Sequence, residues 1–138
     1  MMRQQEGRAG ERALLSVVDD DESVRESLPD LLKEFGFEVR AFCSAEEFLS
    51  SDSVNRTACL ILDIAMPKMT GLELQRELQV RDQRIPIIFI TAQKDETIQA
   101  RAFDQGAAGL LLKPFSDTAL FAAINAALCK GLSDQRLD

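Results

Sequence analysis

Five short apolar runs alternate with five segments of helical periodicity, and this alternation limits the fold more than any other feature of the sequence. The runs predict strands over 14–18, 37–42, 58–62, 87–90 and 109–112. Strands that are apolar on both faces and joined through helices pack as a parallel sheet covered on both sides, so the predicted class is α/β. Right-handed crossovers then predict a doubly wound (βα)5 fold with one five-stranded parallel sheet.

The segment after the first strand has a clear helical pattern and one residue that conflicts with it. Its apolar residues recur at spacings of three and four, as on the buried face of a helix: Val24, Leu28, Leu31, Leu32 and Phe35. Ser23 and Glu26 fit a capping box at the start, and Gly36 fits the left-handed position after the end. Pro29 removes a backbone hydrogen bond inside this pattern, which predicts a late helix start or a local kink.

The other four helices are predicted from apolar stripes and from residues typical of helix ends. Ser44 with Glu47 forms a capping box for a short helix through Leu49, Gly106 closes the fourth helix, and Ser116 caps the fifth. The stripes of the three longer helices are Leu72, Leu74 and Leu78; Ile98, Ala102 and Phe103; and Leu120, Phe121, Ile124 and Leu128.

Length and end composition predict one domain between two tails. The 138 residues suit a single core, which we place at 13–130. Residues 1–12 are polar with no apolar signal-peptide core, and we expect a flexible tail there. Residues 131–138 predict a second flexible tail or the start of a linker. No apolar stretch approaches the 18 or so residues of a membrane span, so no membrane association is expected.

Charge and missing residue types exclude several classes of function. The formal net charge of −7 disfavours direct binding of nucleic acid by this chain. The absence of His excludes a Ser-His-Asp triad, imidazole–zinc ligation and phosphohistidine chemistry within the chain. Three cysteines without C-x-x-C spacing predict reduced, structural thiols in a cytoplasmic protein.

Polar side chains follow four of the five predicted strands. Asp19 and Asp20 follow the first strand, Asp63 the third, Thr91 the fourth and Lys113 the fifth. Because ligands of open α/β sheets bind outside the carboxyl ends of the strands, these groups are expected to meet at one edge. Clustered carboxylates repel one another. A bound Mg²⁺, which takes one or two carboxylates together with phosphate oxygens as ligands, usually relieves this repulsion. The cluster therefore predicts a site for a phosphoryl group.

Four sequence blocks at these strand ends resemble the receiver domain of bacterial two-component response regulators. They are Val17-Val18-Asp19-Asp20, Leu62-Asp63-Ile64-Ala65-Met66-Pro67 with Gly71, Ile90-Thr91-Ala92, and Leu112-Lys113-Pro114-Phe115. The resemblance covers about residues 13–129 and implies a flavodoxin-like sheet of order 2-1-3-4-5. It also implies that Asp63 is the phosphoacceptor, assisted by Thr91 and Lys113. Asp19, Asp20, Asp63 and the Ala65 backbone carbonyl would hold Mg²⁺.

The resemblance implies a phospho-switch rather than an enzyme, with self-phosphorylation from small donors and autodephosphorylation. Its expected partners are a sensor histidine kinase or a phosphotransfer protein, with homodimerisation on phosphorylation left open. The neighbourhoods of Asp63 and Phe115 look similar to receivers that carry helix-turn-helix outputs, which suggests transcription regulation through a separate or missing domain. The alternative is a stand-alone receiver that acts by protein–protein interaction or as a phosphate sink.

Two rival classes of enzyme fit the sequence less well. A phosphatase with an Asp nucleophile of the haloacid dehalogenase type would carry D-x-D-x-T, whereas Asp63 is followed by Ile64-Ala65-Met66. A nucleotide-binding enzyme would carry a glycine-rich loop after the first strand, where this chain has acids.

The resemblance carries two more specific expectations. A cis bond between Lys113 and Pro114 would aim the lysine into the acidic site, against the usual preference of X–Pro bonds for trans. Three residues before the lysine, many receivers have a Tyr or Phe that turns inward on activation, and this chain has Leu110. We expect activation here to depend less on a rotating side chain at 110 and more on the loop from Thr91 to Lys94 and the helix after it.

Overall fold

A computed structural model of the protein describes residues 12–136. The strands are β1 (Leu14–Val18), β2 (Glu38–Phe42), β3 (Thr57–Asp63), β4 (Ile87–Thr91) and β5 (Gly109–Leu112). The helices are α1 (Glu22–Glu34), α2 (Ala45–Ser50), α3 (Gly71–Val80), α4 (Glu96–Asp104) and α5 (Asp117–Arg136), with a 3-10 turn at Asp52–Asn55. The predicted strands and helices are therefore all present, with most ends within one residue of the expected ones.

The five strands form one parallel sheet in the order β2-β1-β3-β4-β5, which confirms the predicted fold class. The register sets which residues share the carboxyl edge. Val18 pairs with Leu62, so Asp19 and Asp63 are the next residues on adjacent strands. Asp63 pairs with Ile90, and Thr91 pairs with Leu112, so Thr91 and Lys113 follow on the next strands.

Each face of the sheet is covered by its own apolar cluster. On one face, Leu62 and Phe89 pack in a cluster with residues of α2, α3 and α4. On the other face, Ile61 and Ile88 pack in a cluster with residues of α1 and α5. Alternate residues of β3 and β4 therefore face opposite layers, and both faces are apolar because both are buried.

Helix α1 begins earlier than the capping-box pattern predicts. Its N-cap is Asp21, whose carboxylate accepts hydrogen bonds from the Ser23 amide at 3.0 Å and the Ser23 hydroxyl at 2.8 Å. The predicted cap at Ser23 and the predicted late start are therefore wrong, because Asp21 caps a helix that contains Pro29. Gly36 follows the helix at φ 98°, and its amide donates to the Lys33 carbonyl, as predicted.

Two other details differ from the sequence pattern. Ser44 does accept from the Glu47 amide, but the Glu47 carboxylate accepts from the Cys43 amide, so the reciprocal capping box is not formed there. Phe103, assigned to the buried stripe of α4, is 50% exposed, and Ala102 is the residue of α4 that is buried. Phe103 lies one position around the helix from Ala102, which turns its ring away from the sheet.

The two predicted tails are only partly covered by the described residues. The tail expected at 1–12 lies, apart from Arg12, outside them. At the other end α5 continues to Arg136, which carries helical backbone past the boundary placed at 130. The boundaries themselves stay predictions. None of the helices among residues 12–136 combines the length and apolarity needed to cross a membrane.

Candidate functional site

The carboxyl edge of the sheet brings the predicted polar residues together at the middle strands. Asp19 follows β1, Asp63 ends β3, Thr91 ends β4 and Lys113 follows β5. Asp19, Asp63 and Thr91 are all buried, at 0%, 5% and 1% exposure, whereas Asp20 is exposed. A parallel sheet ends its strands side by side, so these residues converge although they are up to 94 positions apart.

Lys113 pairs with both buried carboxylates of this group, Asp19 and Asp63. Its Nζ lies 3.0 Å from Asp19 Oδ2 and 3.8 Å from Asp63 Oδ1. Burial by itself would lower the pKa of Lys113, but the hydrogen bond to Asp19 and the neighbouring charges of Asp63 and Asp19 outweigh burial and raise it. Lys113 therefore stays an ammonium. The peptide bond between Lys113 and Pro114 is cis, as expected from the resemblance.

Three carboxylates form a group that could hold a metal ion. One oxygen each from Asp19, Asp20 and Asp63 lies within 4.8 Å of the others. Burial, and next the charge of Asp19, raise the pKa of Asp63 to about 7, despite the opposing effect of Lys113. A hard cation taking oxygen ligands would relieve this repulsion, so the donor set fits a divalent ion of the Mg²⁺ type.

The loop after Asp63 is held by a close approach that only glycine permits. The Gly71 amide donates to the Ile64 carbonyl at 2.9 Å. A Cβ at position 71 would lie 2.9 Å from the Ile64 Cα and still closer to the Asp63 carbonyl oxygen, and both contacts are with backbone. Ala65 lies exposed in this loop, two residues after Asp63, and its assignment as a carbonyl ligand stays a prediction.

Thr91 links the site to the loop that leads into α4. Its Oγ1 accepts a hydrogen bond from the Gln93 amide at 3.0 Å. Any movement of the Thr91 hydroxyl towards Asp63 therefore acts on the backbone of this loop. On β5, Leu110 is half-buried against the cluster that contains Phe89 and Ala102. An aliphatic side chain therefore packs at this position, where an aromatic ring would turn inward in many receivers.

Sequence reasoning missed two residues that hold Asp19 in place. The Asp21 amide donates to Asp19 Oδ1 at 2.9 Å, and Arg25 Nη1 donates to the Asp19 carbonyl at 3.0 Å. The sequence signal for Asp21 was its place in the acidic run after β1. Arg25 had no such signal, because its partner is a backbone carbonyl.

Fold, site and comparison with known proteins agree on a class: this chain belongs to the response regulator receiver domain family, whose profile matches residues 15–125. It is thus homologous to response regulators of two-component systems. Nodulation protein W of Bradyrhizobium diazoefficiens is 44% identical over 86% of the chain and 52% of its own length. Transcriptional regulatory protein TdiR of Thauera aromatica is 40% identical over 88% and 53%.

A solved structure extends the likeness to three dimensions. The response regulator StyR superposes with a TM-score of 0.84 at 42% identity, over 92% of this chain and 64% of that one. The chain spans about half the length of the curated relatives it matches. Members of the receiver domain family interact with histidine kinases or phosphotransfer proteins.

Proposed function

We propose that this domain accepts a phosphoryl group on Asp63 from a sensor histidine kinase or a phosphotransfer protein. The observation that carries the proposal is the placement of Lys113, within 3.8 Å of a buried Asp63 carboxylate that also faces Asp19 and Asp20. A buried nucleophile with an ammonium on one side and cation ligands on the other suits transfer of a doubly charged group.

Mg²⁺ would be held by Asp19, Asp20, Asp63 and the Ala65 carbonyl. When bound, it supplies positive charge that neutralises the oxygens of the incoming phosphoryl group. A bound cation would also favour the ionised form of Asp63, whose pKa burial and Asp19 raise to about 7.

In the transfer itself, an ionised Oδ of Asp63 attacks phosphorus and forms an O–P bond. The bond from phosphorus to the donor, nitrogen in a phosphohistidine or oxygen in acetyl phosphate, breaks with its electron pair staying on the donor. Lys113 stabilises charge on the phosphoryl oxygens, and Thr91 donates its hydroxyl proton in a hydrogen bond to one of them. Self-phosphorylation and autodephosphorylation follow from the same groups, with water as nucleophile in the second reaction.

The switch would act on a separate output. The relative TdiR is a transcriptional regulatory protein, and the match covers 53% of its length, which supports a transcriptional output outside this chain. A stand-alone receiver or phosphate sink is the second candidate.

A homodimer formed on phosphorylation is part of the proposal, and chromatography of the phosphorylated form tests it. Three free cysteines among the described residues suit a cytoplasmic setting.

The test is reaction with acetyl phosphate and Mg²⁺, followed by intact-protein mass spectrometry. We expect one base-labile phosphoryl group on the wild type and on the Asp104→Asn control, whose carboxylate is exposed on α4, and none on Asp63→Asn. Lys113→Met should slow the reaction about 100-fold, as loss of one preorganised donor does. Labelling of Asp63→Asn at the wild-type rate, or full labelling in EDTA, would contradict the proposal.

A further inference from the structure

The backbone between Asp19 and Asp20 is held from several sides. The Asp19 amide donates to the Phe42 carbonyl at 3.2 Å, which ties it to the end of β2. The two carboxylate oxygens of Asp19 accept hydrogen bonds from the Asp21 amide and from Lys113. Asp19 is therefore positioned through its own side chain. The exposed Asp20 carboxylate has no hydrogen-bond partner among residues 12–136, so within this part of the chain its position depends on the backbone on either side of it.

Arg25 supplies a contact to that backbone. It lies in the first turns of α1, where its amide donates to the Asp21 carbonyl at 3.2 Å. Its half-buried side chain turns back, and Nη1 donates to the Asp19 carbonyl oxygen at 3.0 Å. A hydrogen bond from a charged donor is stronger than one between neutral groups, and the planar guanidinium loses little freedom in making it.

Fixing the Asp19 carbonyl also fixes the start of Asp20. The peptide group is planar, so the Asp19 carbonyl and the Asp20 amide and Cα lie in one plane. A donor that holds the carbonyl oxygen sets the orientation of that plane and the position of the Asp20 Cα. The Asp21 amide, which donates to Asp19 Oδ1, holds the next peptide and so limits the direction in which the Asp20 side chain leaves this Cα. The Asp20 carboxylate reaches within 4.8 Å of those of Asp19 and Asp63 from this starting point.

We propose that Arg25 is a positioning residue for the cation site, which aims the Asp20 carboxylate at Asp63 through the Asp19–Asp20 peptide plane. The inference rests on the proposed function, because it assumes that these carboxylates bind Mg²⁺. Arg25 acts through Asp20 and is not a metal ligand, since a guanidinium has no lone pair to offer.

The positioning role of Arg25 and its charge predict opposite changes in Mg²⁺ affinity when Arg25 is replaced. A cation beside the acidic group repels Mg²⁺, so removal of its charge alone would tighten Mg²⁺ binding. Removal of the hydrogen bond frees the peptide plane and lets the Asp20 carboxylate leave its place, which weakens binding. Supporting partners of metal ligands typically contribute 10- to 100-fold in affinity, and we expect the weakening to dominate.

The experiment compares Arg25→Met, Arg25→Lys and the wild type by calorimetric titration with MgCl₂ at fixed ionic strength. Arg25→Met keeps much of the side-chain length but neither charge nor donor, and we expect about tenfold weaker binding. Arg25→Lys keeps a charged donor and should recover part of that loss. Arg101→Met, which removes an exposed arginine of α4, is the matched control and should bind like the wild type.

Two further measurements separate positioning from general damage. In the metal-free protein, Arg25→Met should shift the amide NMR signals of Asp19 and Asp20 while those of β4 stay in place. In the acetyl phosphate reaction, the Mg²⁺ concentration for half-maximal rate should rise about tenfold while the rate at saturating Mg²⁺ stays near that of the wild type.

The outcomes distinguish this inference from the function on which it rests. Equal or tighter Mg²⁺ binding by Arg25→Met, with a wild type that binds and is phosphorylated, overturns the role of Arg25 alone. An Arg25→Met variant that is partly unfolded by NMR, with Arg25→Lys no better than Met, also overturns it. A wild type that binds no Mg²⁺ overturns the proposed function and this inference together.

Discussion

Replacement of Asp63 by asparagine should stabilise the metal-free domain at neutral and alkaline pH. The carboxylate is buried beside Asp19 and near Asp20, and burial together with the charge of Asp19 raises its pKa from 3.8 to about 7. An unfolded chain does not share this penalty, because its Asp63 is solvated. Asparagine keeps the shape of the side chain and removes the charge that the native fold tolerates poorly.

The size of the effect follows from linkage between ionisation and folding. The raised pKa means that the native state holds a proton that the unfolded chain has released, so stability falls as pH rises from about 4 to about 7. Three pKa units at 1.36 kcal/mol each set an upper limit of about 4 kcal/mol. Imperfect hydrogen bonding of the asparagine amide takes back about 1–2 kcal/mol, which leaves a gain of about 2 kcal/mol at pH 8.

Urea unfolding followed by far-ultraviolet circular dichroism measures this gain. The chain has no Trp or Tyr, so fluorescence offers no convenient signal. In EDTA at pH 8, Asp63→Asn should unfold at about 1 M higher urea than the wild type, while the exposed Asp104→Asn should match the wild type. The advantage should disappear on going to pH 5, because the two pKa units between pH 7 and pH 5 correspond to about 2.7 kcal/mol.

Magnesium should reverse the order of stability. Binding to the native wild type adds about 2.7 kcal/mol at one hundred times the dissociation constant, and the variant has lost one of the ligands that such binding uses. The reasoning fails if Asp63→Asn is less stable than the wild type in EDTA at pH 8. It also fails if the difference between the two does not change with pH.

Three further perturbations test the surroundings of the site. Gly71→Ala should cost at least about 2 kcal/mol because its Cβ meets the Asp63 and Ile64 backbone, and a loss no larger than that of Gly109→Ala, whose Cβ meets only side chains at 3.8 Å or more, would refute this. Lys68→Gly should gain up to about 1 kcal/mol because Lys68 has φ 63°, whereas Lys94→Gly should not; equal urea midpoints for both variants would speak against backbone strain at 68. Thr91→Ala should reduce the phosphorylation-induced change in hydrogen exchange of α4 more than Leu110→Ala does, and the opposite order would show that position 110 carries the switch.

Much of the fold and of the site could be predicted from sequence because both depend on features local in the chain. Apolar runs such as 87–90 predict buried strands, and Gly36 and Ser116 mark helix ends through their own backbone and hydroxyl. Asp19, Asp63, Thr91 and Lys113 each stand directly at a strand end. A parallel sheet brings its carboxyl ends together whatever the intervening sequence, so adjacency in the site followed from topology.

What the sequence by itself determined, then, was the order of strands and helices and the set of groups at one edge of the sheet. The tertiary structure decided which contacts those groups make: Lys113 lies closer to Asp19 than to Asp63, and Arg25 reaches the Asp19 carbonyl. It also decided that Asp21 rather than Ser23 caps α1, and that Phe103 faces outward. Periodicity records which face of a segment is apolar, but distances and burial depend on how separate segments pack, and no local pattern encodes that.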